Sequence, residues 1–550
     1  MKKIVILQSE KANKTNTYKK MKTKFFLFFA AMLICGSMIA QEPDHHYIRS
    51  TNNFEGNMDM KARVRIDGVE QQSINIIEIG VFNGNVVTDS KFVKSFGSNN
   101  YYRVNLTIGG NGSYPLTFKL YNHSTGEEML NYTITDPNGN LCESITWIND
   151  ASLGGYANPY TLNFVHTFTK DITAYTAGSK DHYYLIASPI GTVSPEAVTN
   201  MTSNNFDLYY YDQTQDKEWI NYEGSNGNFS LEPGKGYLYA NSQDVTLTFK
   251  GAPYSGNGEV PLVYDAGVNQ NTALIGWNLV GNPFATDATL DKPYYRMNGD
   301  GSALNTQTEQ TSVAAMEGMF VQVSQANESV TFTPQTRSGE PMQIAKVNIM
   351  VVGNHGNVID NAIVRFDNGA TLGKFQLREN STKVFFQQEG KDYAIVNADG
   401  KVGEMPVSFK AEENGTYTLS IDTENVEMNY LHLIDNMTGM DVDLLQTPSY
   451  CFEATTRDYA SRFRLVFAGT STDATSNEAF AFYSNGNWII NNPSTGSGVA
   501  TLQIVDVNGH LLCNEQINGC CNKSLNTAPG VYMLRLINGE NVKTQKIVVR

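Results

Sequence analysis

The amino-acid sequence predicts an all-β protein built from several tandem antiparallel β-sandwich domains of immunoglobulin-like type. Apolar and polar residues alternate in many short runs, of which Leu116–Tyr121 is a clear example, and this period of two is that of a half-buried strand. Asn-Gly pairs such as Asn83-Gly84 and Asn138-Gly139 separate the runs and favour two-residue hairpin turns. Outside the first forty residues, no stretch of fifteen has a convincing helical period. Because 550 residues exceed one ordinary core, we expect three or four domains.

Residues 1–40 are predicted to be a polar extension followed by a secretory signal peptide. Two lysines precede the apolar run Phe25–Ile34, and small residues then lead to Ala40 and a polar stretch. The run is too short for a membrane span, which needs about twenty residues. We predict Met21 as the start of the signal and cleavage after Ala40. A lipid anchor on Cys35 is disfavoured, because an isoleucine occupies the preceding position where a lipobox has a small residue.

Residues 41–165 are predicted to form the first sandwich. Met58–Ile66 alternates, and Ile74–Phe82 reads as a strand that is buried on both faces. Ile79–Gly84 followed by Leu116–Tyr121 resembles β-sandwich modules that are common in large secreted proteins of Bacteroidetes. The resemblance is short and implies only a fold.

Residues 166–335 contain a degenerate internal duplication. Tyr184–Pro189 corresponds to Trp277–Pro283, and Gly234–Tyr239 corresponds to Met316–Val321. A further strand follows each pair of segments. Repeated supersecondary units of this kind predict two β-halves that pack together.

Residues 336–468 are predicted to form another β-sandwich, followed by a flexible linker over residues 469–478. The linker, GTSTDATSNE, has no apolar period, and a processing protease needs such a locally unfolded segment. The predicted strands of the sandwich are Lys346–Val352, Ala362–Phe366, Val384–Gln387, Tyr417–Ile421 and Arg462–Phe467.

Residues 479–550 are predicted to form a small antiparallel sandwich. Asn508-Gly509 marks a hairpin turn, and Pro529-Gly530 turns the chain into the strand Val531–Leu536. Lys546–Arg550 forms the last strand.

Three motifs in this segment resemble the type A sorting domain of the type IX secretion system of Bacteroidetes: Asp506–Gly509, Gly530–Tyr532 with Arg535, and Lys543–Val549. The segment that starts at Leu431 resembles a module often found just before such domains. The resemblance implies Sec export to the periplasm, recognition by the outer-membrane translocon, removal of the domain by a sorting protease and attachment to surface lipopolysaccharide. An ordinary terminal immunoglobulin-like domain is the alternative. The candidate sorting-signal residues are Asp506, Asn508, Gly509, Gly530, Val531, Tyr532, Arg535, Lys543 and Lys546.

Charge and cysteine content narrow the class of protein. The net charge is −15, and without the first forty residues 32 basic residues face 54 acidic ones. So acidic a chain does not bind nucleic acid through phosphate contacts. Six cysteines are present, without a CxxC pair, which excludes a disulfide scaffold. A disulfide among Cys513, Cys520 and Cys521 and buried free thiols are both open interpretations.

The motifs of common enzymes are missing from the sequence: it has no HExxH and no GxSxG. Carboxylate pairs that meet only in three dimensions keep a hydrolase open as a minor alternative. His45-His46, near the predicted mature N-terminus, reads as a frayed end or a weak metal ligand. No cofactor is expected, although the oxygen-rich loops Asp212–Asp216 and Asn298–Ser302 are weak calcium candidates, more simply explained as turns.

A group of aromatic residues in the second region is the best candidate for ligand binding. In alternating strands about half of the rings face outward, and flat rings beside Asn and Asp suit sugar stacking. Core packing is the alternative. The residues are Tyr209, Tyr211, Trp219, Tyr222, Tyr237 and Tyr239.

Taken together, these features predict a non-enzymatic protein displayed on the outer cell surface that acts by adhesion or scaffolding. Its partners would be the type IX translocon, the sorting protease and a host or matrix protein. The alternative is a carbohydrate-binding surface protein that captures polysaccharide.

Overall fold

The computed structural model describes residues 43–51, 53–178, 181–224, 228–265, 272–335, 343–353, 357–378, 380–398, 400, 402–469, 480–484, 486–490, 492, 499–518, 521–539 and 541–549. The predicted signal peptide, Cys520 and all of the predicted linker except Gly469 lie outside the described residues. The all-β prediction is confirmed: the described residues form 45 strands and two short 3-10 turns, Pro195–Ala197 and Thr272–Leu274. Among these residues, no helix has the length and hydropathy of a membrane span.

The first of two compact units ends at His166 and contains two sheets. One has the order β10-β9-β13-β1-β6-β5, with β2 and β12 on β1, and the other the order β11-β7-β3-β4, with β8 on β7. The β1–β13 pair is parallel. The alternating residues of the two sheets meet in one apolar core that includes Met60, Ile79, Leu106 and Phe118. The strands are β1 (Gly56–Ile66), β2 (Val69–Glu70), β3 (Ile77–Asn83), β4 (Val86–Phe92), β5 (Lys94–Phe96), β6 (Tyr101–Gly110), β7 (Pro115–Asn122), β8 (Glu127–Met129), β9 (Tyr132–Thr135), β10 (Leu141–Cys142), β11 (Ile145–Thr146), β12 (Ser152–Leu153) and β13 (Tyr160–Phe164).

The second compact unit starts at Thr167. Its first strands are β14 (Thr167–Ile172), β15 (Tyr184–Ala187), β16 (Phe206–Tyr211), β17 (Trp219–Asn221), β18 (Gly236–Asn241), β19 (Val245–Lys250), β20 (Glu259–Pro261), β21 (Trp277–Gly281), β22 (Ala288–Leu290), β23 (Tyr294–Met297), β24 (Leu304–Gln307), β25 (Ser312–Val313), β26 (Gly318–Gln322) and β27 (Ser329–Pro334). The two sheets β15-β18-β16-β17 and β21-β26-β23-β24 have the same strand order, so the repeated sequence segments lie on equivalent strands of the two halves. A second sheet joins the outer strands of each half, β14 with β19 and β20 with β27.

The two halves contact each other reciprocally through equivalent residues. Ala187 N donates to Met316 O (3.2 Å), and the equivalent Gly281 N donates to Gly234 O (3.0 Å). A Cβ on Gly281 would lie 2.7 Å from Lys235 O and closer still to the methyl group of Ala187. The close approach of the halves therefore requires glycine at one of the two equivalent positions.

Gly281→Ala should lower the free energy of unfolding by about 1–3 kcal/mol, because the added methyl overpacks the contact between the halves. Urea unfolding followed by tryptophan fluorescence measures the change. Gly155→Ala is the matched control, since a Cβ there meets nothing within 4 Å. Equal stability of the two variants would contradict the prediction.

The third region is one sheet folded around a single core that includes Val364, Val396, Leu433 and Phe463. The sheet has the order β36-β35-β38-β33-β31-β32-β29-β28-β34-β37, with β30 on β32. Its strands are β28 (Lys346–Val352), β29 (Val358–Arg365), β30 (Leu372–Gly373), β31 (Lys383–Gln388), β32 (Lys391–Asn397), β33 (Val402–Lys410), β34 (Gly415–Glu424), β35 (Met428–Asp435), β36 (Asp441–Asp443), β37 (Ser449–Ala454) and β38 (Phe463–Gly469).

The second and third regions share a core across the division that was predicted after residue 335. Phe375 packs against Trp277 and Phe320, with ring centroids 4.7 and 4.5 Å apart. Tyr295 Oη donates to Gly373 O (3.2 Å). The two regions consequently belong to the same compact unit.

The C-terminal segment is a small sandwich of two sheets, β39-β40-β43 and β42-β41-β44-β45. Between them lies a core that includes Trp488, Leu502, Ile504 and Leu534. The strands are β39 (Ala481–Ser484), β40 (Asn487–Ile490), β41 (Val499–Asp506), β42 (Leu511–Asn518), β43 (Cys521–Ser524), β44 (Gly530–Asn538) and β45 (Asn541–Val549).

Candidate functional site

Three of the candidate sorting-signal residues close the hairpin between β41 and β42. Asp506 Oδ1 accepts hydrogen bonds from Asn508 N (2.8 Å) and His510 N (2.9 Å). The backbone N–H of His510 is the main cause that holds the pKa of Asp506 below its ordinary value. Gly509 has a φ of +83°, a conformation that glycine adopts without steric cost. Asp506, Asn508 and Gly509 therefore act locally, as the turn.

Gly530 and Tyr532 form a tyrosine corner where the chain crosses from one sheet to the other. Tyr532 Oη donates to Ala528 O (2.8 Å), four residues upstream. The buried ring packs edge-on against Trp488, with centroids 5.3 Å apart. A Cβ on Gly530 would lie 3.6 Å from this ring. The motif thus fixes the arch from β43 to β44, as tyrosine corners do in other sandwiches.

Tyr532→Phe should lower the free energy of unfolding by about 1 kcal/mol, because Ala528 O loses its donor while the ring packing is kept. Chemical denaturation of the full chain measures the change. Tyr459→Phe is the control, since Tyr459 is 49% exposed. The prediction fails if both variants unfold at the same denaturant concentration.

The remaining candidate sorting-signal residues lie on the last two strands. Arg535 and Lys546 are exposed, and Val531 is half-buried opposite Val548. Lys543 is half-buried opposite the core residue Leu536. These side chains do not close turns, so they differ in kind from Asp506, Gly530 and Tyr532.

Gln545 is a structural residue of the domain that the sequence motifs did not indicate. Its Oε1 accepts from Phe480 N (2.6 Å) and Ala481 N (2.8 Å), and its Nε2 donates to Ala481 O (2.6 Å). One side chain thereby joins β45 to the start of β39 in the other sheet. One feature could have indicated this role: Gln545 is a polar residue at an inward position of an alternating strand, opposite the core residue Leu534.

The aromatic group of the second region divides between core and surface. Tyr237 and Tyr239 are 1% and 0% exposed, and their hydroxyls donate to Ser230 O (3.1 Å) and Met201 O (2.8 Å). For these two rings the structure shows the core-packing alternative, because the first half of the duplication packs its core on them.

Tyr211 and Trp219 pack against Phe320, with centroids 5.1 and 6.0 Å from it, at the edge of the shared core. Burial raises the pKa of Tyr211, and the nearby Glu218 and Asp212 raise it further. Both residues thus contribute to packing, and neither is fully buried.

Tyr209 and Tyr222 are the members with polar surroundings. Tyr209 Oη donates to Asp207 (3.2 Å) and accepts from Asn221 Nδ2 (3.1 Å). Tyr222 Oη donates to Glu196. Burial raises the pKa of each to about 12, with Asp207 adding to the effect at Tyr209 and Glu196 at Tyr222.

A buried carboxylate organises the first residues of the described chain. Glu78 is 0% exposed and accepts hydrogen bonds from His123 Nε2 (2.7 Å), His45 Nδ1 (2.9 Å), His46 N (2.8 Å) and Ser90 Oγ. Burial raises the pKa of Glu78, but the hydrogen bonds from Ser90 and His123 outweigh it and the pKa lies below its ordinary value. The segment expected to be frayed is thus docked on the first sandwich.

The lowered pKa predicts that Glu78 makes stability depend on acid pH. The carboxylate stabilises the fold above its unfolded pKa of about 4.3, and this contribution is lost as the pH falls through the lower folded pKa. Glu78→Gln should therefore be less stable at neutral pH and should lose less stability between about pH 5 and pH 3. Denaturation at several pH values measures this. The exposed Glu143→Gln should follow the wild type, and a Glu78→Gln profile parallel to the wild type would refute the assignment.

The oxygen-rich loops use their carboxylates within their own turns. Asp212 Oδ1 accepts from Thr214 N (3.0 Å), and Asp300 Oδ1 accepts from Ser302 N (3.1 Å). Within the part of the chain that the structure describes, no three His, Cys, Asp or Glu side chains are arranged to hold a metal ion.

The comparison with protein families concerns the C-terminal sandwich. Residues 484–550 match the family model of the secretion system C-terminal sorting domain. No curated protein matches the chain. The Asp506 turn and the Tyr532 corner both lie inside the matched range, which confirms the resemblance noted in the sequence. Residues 484–550 are therefore a type IX secretion C-terminal sorting domain, and the chain is a type IX secreted protein of the cell surface or exterior.

Proposed function

We propose that this protein is a non-enzymatic surface protein of a Bacteroidetes bacterium that acts by binding or scaffolding. Sec exports it through the signal peptide that starts at Met21 and ends at Ala40, and the type IX system moves it from the periplasm to the surface. A sorting protease then cuts the linker at residues 469–478 and the body is attached to lipopolysaccharide. The apolar run Phe25–Ile34 and the sorting domain support this route.

The use of buried charge carries the scaffolding proposal. Arg365 is 0% exposed and bonds to Glu309 (2.7 Å) and Asp367 (2.6 Å). Lys374 and Asp360 form a buried pair at 2.7 Å, as Arg462 and Asp435 do at 2.8 Å. Each pair joins segments that are distant in sequence or closes a loop. Because an unpaired buried charge is costly, each pair favours one arrangement of the segments that it joins, which suits a protein that presents a fixed surface.

Carbohydrate binding is the second candidate, and a surface cleft of the first sandwich favours it. Amide and hydroxyl groups line this cleft beside an indole, the combination that recognises sugar hydroxyls and ring faces. Burial leaves the indole of Trp147 only 3% exposed, so the polar groups would make most of the contact. The lining includes Glu55, Asn111, Ser113, Trp147 and Asn149.

Binding of the purified full chain to a glycan array and to a panel of matrix proteins distinguishes the candidates. Binding to matrix proteins without glycan binding supports adhesion. Binding to one sugar class that is lost in Asn111→Ala/Asn149→Ala but kept in the exposed control Asn99→Ala supports the carbohydrate candidate. Hydrolysis of a polysaccharide or peptide panel would overturn the non-enzymatic proposal.

A further inference from the structure

Part of one face of the sorting domain is covered by the body of the protein. Ile489 of β40 is 2% exposed and packs with Phe482 against the third region. The residues it meets there include Tyr430, Ile434 and Val466. The part of β39 and β40 around Phe482 and Ile489 is thus unavailable as a docking surface while the domain is attached.

The other sheet, β42-β41-β44-β45, turns its inward side chains to the domain core and its outward side chains to solvent. We call the outward side the open face. The register places Leu511, Val505, Met533 and Lys546 in one row across all four strands. The next row contains Asn514, Gln503, Arg535 and Thr544, and the one after it Gln516, Thr501, Ile537 and Val542.

The open face exposes large apolar side chains on both sides of the polar row that contains Gln503 and Arg535. Five large apolar side chains on it are between 37% and 56% exposed. Leu511, Val505 and Met533 are neighbours in one row, and grouped exposed apolar side chains mark interaction sites more often than scattered ones do. The residues are Val499, Leu511, Met533, Val542 and Val548.

The charge of the open face is opposite to that of the whole chain. Its three central rows contain Arg535 and Lys546 and no carboxylate, whereas the chain has a net charge of −15. A partner whose surface combines apolar side chains with carboxylates would be attracted to this face.

The candidate sorting-signal residues fall into two groups, one that builds local structure and one that lies on the open face. Asp506, Gly530 and Tyr532 build a turn and a corner, as described above. Val531, Arg535 and Lys546 instead lie on the open face. The side chains of the second group do not build a turn or a corner. Contact with a partner would explain why they belong to the sorting motif.

We propose that the open face is the surface by which the sorting domain docks on a protein of the type IX machinery, and that the partner presents apolar side chains together with carboxylates. This rests on the sorting function of residues 484–550. The occupant follows from that function, from the partly covered opposite face and from charge complementarity.

The test introduces carboxylates into the open face of the full chain, expressed in a host with an active type IX system. Met533→Glu/Val548→Glu should reduce the fraction that external protease reaches on intact cells by about tenfold or more, with accumulation in the periplasm, because like charges across an interface are costly. Ser524→Glu/Asn526→Glu is the matched control, with the same added charge at exposed positions away from the open face. This control should be displayed like the wild type.

Arg535→Glu/Lys546→Glu is a second open-face variant that should not disturb folding, because both side chains are exposed and lie outside the domain core. Thermal unfolding of each purified chain verifies the fold. We expect this variant to be retained as well. Display of both open-face variants at the wild-type level, with a sorting-domain deletion still retained, would overturn the docking surface alone. Display of the deletion itself would overturn the sorting function.

Discussion

Deleting Gly530–Arg550 should abolish surface display and leave the protein in the periplasm. The deletion removes β45 and β44, and β44 pairs with both β41 and β45. It also removes Tyr532, Leu534 and Leu536 from the domain core. A small sandwich without its central strand cannot bury its apolar residues, so the machinery loses the folded domain that it recognises.

Cell fractionation and protease accessibility on intact cells measure this result. Tyr459→Phe in the third region is the control for expression and should be displayed normally. Surface display of the truncated chain at the wild-type level would contradict the sorting assignment.

Arg365→Ala should lower the free energy of unfolding by about 1.5–3 kcal/mol, because it removes a buried guanidinium and leaves the half-buried Glu309 without its charge-assisted hydrogen bonds. Arg365 donates to both oxygens of Glu309 (2.7 and 2.9 Å) and to Asp367. Glu309 belongs to the second region and Arg365 to the third. We therefore expect the substitution to weaken the contact between these regions as well as the third sheet.

Urea unfolding and limited proteolysis of the full chain test this prediction. Arg464→Ala is the matched control: its pair with Glu404 has side chains 24% and 42% exposed, and such surface pairs contribute about 0.2–1 kcal/mol. A loss for Arg365→Ala no larger than that of the control would show that the buried pair does not join the regions.

Local sequence patterns predicted the strands and turns well, because the formation of strands and turns depends on residues that are close in sequence. The Asp506–Gly509 turn follows from side-chain capping of nearby N–H groups and from the conformational freedom of glycine. The duplicated phrases Tyr184–Pro189 and Trp277–Pro283 lie on equivalent strands because the same local pattern builds the same hairpins. The role of Gln545 was missed, since its backbone partners are 64 and 65 residues away.

The sequence by itself determined the all-β class, the positions of the turns and the sorting domain, because strand alternation and turn chemistry are encoded within a few residues. Only the tertiary structure decided which alternating side chains are buried. Tyr237 became a core residue and Met533 an exposed one because burial depends on whether another sheet packs on that face. The shared core of the second and third regions could not be predicted for the same reason. Trp277 and Phe375 come into contact only when two sheets that are distant in sequence pack together.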